Sequence, residues 1–84
     1  MVSVGGGDGT SFEKAIVISD CNDLEGIDQE YLELHYMFGK FELLSQSVIH
    51  RNRKVFDKLE ILAENKHYCV YFDITAFFDK GLEW

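Results

Sequence analysis

Basic residues are scarce in this sequence. Eight Lys and Arg stand against fifteen Asp and Glu in 84 residues, a net charge of −7, and no Lys or Arg lies between Lys14 and Lys40. So acidic a chain suits the phosphate backbone of nucleic acid poorly, and no nucleic-acid partner is expected. The single basic run, His50-Arg51-Asn52-Arg53-Lys54, falls at a hairpin tip and lacks the interleaved aromatics of a nucleic-acid surface. Two cysteines are too few for a disulfide framework, and Cys21 and Cys69 read as reduced thiols. Proline is absent, and with it any Pro-rich linker. No apolar run approaches the ~20 residues that span a bilayer. Met1-Val2-Ser3-Val4-Gly5 lacks the basic and apolar regions of a signal peptide. These absences lead to the expectation of a small cytoplasmic domain with no membrane partner.

What is present is apolar enough to fold: 46% of the residues are hydrophobic. A chain this short buries only roughly 60–65% of its unfolded surface, and oligomerisation is a common remedy at that size. Residues 1–9, with Gly5, Gly6, Gly7 and Gly9, read as a flexible arm, and 10–84 as one domain. The glycines make no phosphate loop, because no Gly-Lys-Ser/Thr follows them. Thr10-Ser11-Phe12-Glu13 fits a capping box and predicts a short helical turn. The β-branched run Ala15–Ser19 predicts a strand. Over 26–38, Ile27, Tyr31, Leu34 and Phe38 form one helical stripe, and Gly39 is placed to end the helix.

Residues 40–78 read as three strands joined by two hairpins. A two-residue turn at Asn65-Lys66 pairs Ala63, Ile61, Leu59 and Asp57 with Tyr68, Val70, Phe72 and Ile74, and sets Lys58 against Asp73. The first hairpin turns near Arg51-Asn52-Arg53. A three-residue loop there places Ser47 opposite Asp57 and Ser45 opposite Leu59; a two-residue loop pairing Val48 with Val55 is the alternative. The expected fold is α+β, a β-α-β-β-β two-layer arrangement with one helix on a mainly antiparallel four-stranded sheet.

On the sheet face away from the helix, Phe56, Leu62, Cys69 and Tyr71 make a candidate dimer or partner face. The aromatic tail, Phe77, Phe78, Leu82 and Trp84, is placed to fold over its own core or over a partner. Asp20, Asp23, Glu25, Asp28, Glu30 and Glu33 form a candidate acidic docking surface for a basic protein. Ser45, Ser47 and Asp57 converge as a pocket candidate on the inner face. No catalytic set emerges, because no His is placed to act as base beside them. The segment from Asp20 to Tyr31 resembles a calcium loop but has Glu25 where glycine is required and Tyr31 where glutamate is required. His35, His50 and His67 have no ligand partner at metal spacing, so neither metal nor cofactor is expected.

The string Asp8-Gly-Thr-Ser-Phe-Glu-Lys-Ala-Ile-Val-Ile, then Glu30-Tyr31, then Tyr71-Phe72-Asp73-Ile74-Thr75 with Phe77-Phe78, resembles short stand-alone bacterial proteins of uncharacterised function. In general type such proteins are similar to the cargo of mobile gene cassettes or toxin-neutralising loci, and the resemblance transfers no catalytic residue. The expectation that joins these observations is a non-enzymatic, self-associating protein–protein interaction module. One alternative is an acidic inhibitor or immunity-type protein that uses its helix surface. The other is a small-ligand-binding domain with a pocket near Asp57.

Overall fold

The computed structural model describes residues 2–78, apart from the side chain of Asp23. In chain order the elements are β1 (Ser3–Gly6), β2 (Ile16–Ser19), α1 (Asp23–Phe38), β3 (Glu42–Arg51), β4 (Lys54–Ala63), β5 (Lys66–Asp73) and α2 (Thr75–Phe78). The strands form one sheet in the order β1-β2-β5-β4-β3. The class is α+β as expected, but the sheet is mixed and has five strands rather than four. Strand β2 runs parallel to β5, and the other pairs are antiparallel. Within the expected arm, Ser3–Gly6 pairs with Ile16–Ser19 as an edge strand. Leu82 and Trp84 lie outside the described residues.

Both hairpins close through two-residue turns with positive φ at each central position: Asn52 (52°) and Arg53 (64°), then Glu64 (51°) and Asn65 (64°). This is the type I′ geometry, whose twist matches that of the strands it joins. The second turn sits one residue earlier than the sequence implied. Leu59 therefore faces Val70 and Ile61 faces Tyr68, a shift of two along β5. An even shift keeps every side chain on its expected face. It does move the charges: Lys58 faces Tyr71 and Phe56 faces Asp73. Asp73 finds Lys54 at 3.8 Å, and Lys58 finds Glu60 at 3.9 Å.

The first hairpin differs by one residue from the three-residue-loop register and by two from the alternative that pairs Val48 with Val55, whose parity it keeps. His50 faces Val55, Val48 faces Asp57 and Gln46 faces Leu59, until an irregularity between Leu43 and Ser45. Relative to the three-residue-loop register the shift is odd, and it reverses the faces of β3. Ser45 and Ser47 therefore lie opposite Glu60 and Lys58 on the outer face, while Gln46 and Val48 take the inner positions.

Helix α1 starts three residues earlier than its apolar stripe predicted. Asn22 is its N-cap: its side chain accepts the Glu25 N–H at 2.8 Å, and the Glu25 carboxylate accepts the Asn22 N–H at 3.1 Å. That reciprocal box satisfies two of the helix's orphan donors. The segment Thr10–Glu13, where a box was expected, is a non-helical turn. Gly39 (φ 71°) ends the helix, donating its N–H to the His35 carbonyl at 2.8 Å.

The inward stripe of α1 is Gly26, Glu30 and Leu34, not the one centred on Ile27, which is 40% exposed. Phe77 of α2 explains the rotation. A Cβ on Gly26 would lie 2.5 Å from its ring, so α1 and α2 meet only because residue 26 has no side chain. Leu34 joins Ile18, Leu59, Ile61, Phe72 and Phe77 in the core. No helix among the described residues is long and apolar enough to cross a bilayer.

The segment before β2 lies against the outer face of the sheet. The Gly9 carbonyl accepts the Tyr71 N–H at 2.8 Å. Phe12 stacks on Phe56 (5.1 Å, edge-on) and on Tyr71 (4.6 Å), and the Arg51 guanidinium sits 4.4 Å from its ring. Phe56 is thereby only 5% exposed.

Candidate functional site

The inner face of β4 reads Val55, Asp57, Leu59, Ile61 and Ala63, all buried. A carboxylate in such a row is costly unless something compensates for it. Gln46, brought inward by the register of β3, donates from Nε2 to Asp57 Oδ2 at 2.8 Å. From above, the inward stripe of α1 delivers Glu30. The two carboxyl groups are 1% and 2% exposed.

Glu30 Oε1 and Asp57 Oδ1 are both buried with no donor within reach if the two groups are taken as ionised. Two carboxylates have only acceptors to offer one another. A proton on Glu30 resolves this, because Glu30 becomes a donor to Asp57. Burial first, then the hydrogen bond and the charge of Asp57, push the Glu30 carboxyl up to about 10. Burial also raises the neighbouring Tyr31 phenol, with smaller contributions from Glu30 and Asp57. The pair is a carboxylic acid kept neutral beside a second carboxyl, an arrangement typical of sites that move or share a proton.

Beside the pair lies a cavity of about 200 Å³ lined by Glu30, Gln46 and Asp57 and by Ile27, Val48, Ile74, Phe77 and Phe78. The short helix α2 supplies its aromatic wall. It is anchored by Asp73, whose Oδ1 accepts the Thr75 hydroxyl at 2.6 Å and the Thr75 N–H at 3.1 Å. The Thr75 hydroxyl in turn accepts the Val55 N–H at 3.0 Å.

Of the three pocket residues picked from sequence, Asp57 is in the cavity wall and Ser45 and Ser47 are not. The serines were placed inside by a one-residue error of register. The same error hid Gln46. Glu30 was assigned to the acidic docking surface, and burial removes it from there. Of the remaining acids, Asp20 and Asp28 are exposed, with Asp20 accepting the Ser3 hydroxyl at 2.6 Å. Glu25 is engaged in the helix cap. Glu33 is half-buried and accepts from Gln29 at 2.8 Å. The side chain of Asp23 lies outside the described residues.

The candidate dimer face is not one open patch. Phe12 covers Phe56 and leans on Tyr71, Leu62 is half-buried, and Cys69 is exposed. Among the described residues, no three His, Cys, Asp or Glu side chains gather as a metal site. Compared with protein-family models, curated proteins and solved structures, the chain matches none.

Proposed function

We propose that this domain binds a small amine with an apolar body, seating the ammonium group on the Glu30–Asp57 carboxyl pair. The observation that carries the reading is the pair of buried carboxyl oxygens, Glu30 Oε1 and Asp57 Oδ1, that have only a shared proton between them at the wall of an apolar cavity. An ammonium group brings three donors and a positive charge, while Gln46 already holds the remaining Asp57 oxygen. The apolar body meets Ile27, Val48, Ile74 and Phe77. The volume is adequate, since a dry cavity of roughly 150 Å³ accepts benzene. When the cation arrives, Glu30 gives up its proton to solvent, so binding releases about one proton per site.

Benzylamine, benzyl alcohol and benzoate are probes of similar shape and different charge. In thermal-shift and NMR titrations, benzylamine is expected to raise the melting temperature and to move the resonances of residues 27, 30, 46 and 57, while benzoate does neither. Calorimetry in buffers of different ionisation enthalpy then reads the released proton. A protein that responds equally to all three probes, or to none, refutes the proposal.

A further inference from the structure

The two edges of the sheet are unlike. β1 is four residues long and contains two glycines, whereas β3 is ten residues long and exposed at every position but Ile49. Proteins blunt such edges with Pro, with Lys or with inward charges. Strand β3 has none of these: no Lys, Arg, Asp or Glu lies between Glu42 and Arg51, and its one irregularity is near Leu43.

The main-chain groups that face outward can be identified. Val55 donates its N–H to Thr75 and accepts at its carbonyl from Ile74 (2.9 Å), so both of its groups point away from β3. Its partner His50 must then point its own groups away from β4, and by alternation so do Val48 and Gln46. The helix leaves this border uncovered, and Val48 on the inner side is 46% exposed.

We infer that β3 pairs antiparallel with β3 of a second copy of this chain, about a two-fold axis through Ser47. The distribution of charge selects this occupant. A strand with Glu42 at one end, Arg51 at the other and an uncharged middle complements itself when antiparallel, because the Glu42 end of each copy lies beside the partner's Arg51 end. Val48 and the partner's Gln46 then exchange main-chain hydrogen bonds on both sides of the axis. The partner's strand flanks the side of the cavity walled by Gln46 and Val48, so two cavities lie side by side on one face of a shared sheet. The pairing does not rest on what the cavity binds.

The test is the molar mass in solution, by light scattering on size-exclusion peaks up to the high micromolar range. Twice 9.7 kDa is expected for the parent chain. V48P removes an outward N–H, two per dimer, and leaves the β3–β4 ladder intact. It is expected to weaken the dimer about thirtyfold. S47E sets two carboxylates against each other at the axis while facing Lys58 within its own copy. It is expected to give a folded monomer by circular dichroism. Y71D leaves the mass unchanged. A parent chain that stays monomeric overturns the inference. So does a dimer indifferent to both V48P and S47E, or one dissolved by Y71D, which would place the interface on the outer sheet face.

Discussion

Glu30→Gln is expected to stabilise the protein at neutral pH and to remove most of one proton's worth of pH dependence. Burial, aided by Asp57, raises Glu30 from 4.5 to about 10 in the folded chain. Between those values the folded state holds a proton that the unfolded state has lost. The stabilisation is therefore complete below pH 4.5 and is lost as the pH rises towards about 10. The loss is about 1.4 kcal/mol per pH unit. From 4.5 to neutrality is 7 − 4.5 = 2.5 units, about 3 kcal/mol. A domain whose whole stability is of the order of 5–15 kcal/mol feels such a loss strongly. At 1% exposure, solvent screens little of it. Glutamine has no proton to lose, and its amide can donate to Asp57 as the neutral acid does. Urea unfolding of both chains from about pH 5 to about pH 9 measures the difference, in which titrating groups that do not interact with Glu30 cancel. The advantage of the variant should grow with pH at about 1.4 kcal/mol per unit. A difference that stays constant across that range refutes the shared-proton account.

Three other substitutions test the packing around the site. Gly26→Ala puts a Cβ 2.5 Å from the Phe77 ring, so thermal unfolding should show a loss of about 1–3 kcal/mol from overpacking despite the better helix former; a gain would mean that α2 does not seat there. Phe12→Ala uncovers Phe56 and Tyr71 and should cost about 2 kcal/mol in urea unfolding while increasing the binding of a hydrophobic dye. Arg53→Gly relieves a left-handed residue at φ 64° and should add about 0.5 kcal/mol once glycine's greater freedom in the unfolded chain is subtracted; a loss would argue against the type I′ turn.

Much of the fold follows from local pattern. The alternation along β4 and β5 identifies the inner face even though the turn falls one residue away from Asn65-Lys66, because a shift of two preserves parity. The same logic fails at the first hairpin. Arg51, Asn52 and Arg53 offer several turns of nearly equal merit, and β3 reads Glu-Leu-Leu-Ser-Gln-Ser-Val-Ile with no clean alternation to arbitrate. One residue of difference exchanged Ser45 and Ser47 for Gln46 and Val48. Asp57 was visible as a lone acid among inward apolar residues, and its need for a partner was a usable signal. Its partner was not visible, because Glu30 lies in a helix whose Ile27-Tyr31-Leu34-Phe38 stripe looks like the buried one.

The sequence by itself determined the acidity of residues 1–42, where nine acids and two bases leave −7, and the neutrality of 43–84, where six face six. It also determined the α+β class and the two-residue length, though not the position, of the second hairpin's turn, because charge is a sum and hairpins are local. Only the tertiary structure decided that Glu30 belongs to the core and that Phe12 covers the outer sheet. The reason is steric and long-range. Gly26 must meet Phe77, separated from it by the whole sheet meander, and that contact rotates α1 until Glu30 points at Asp57. No window of neighbouring residues contains that constraint.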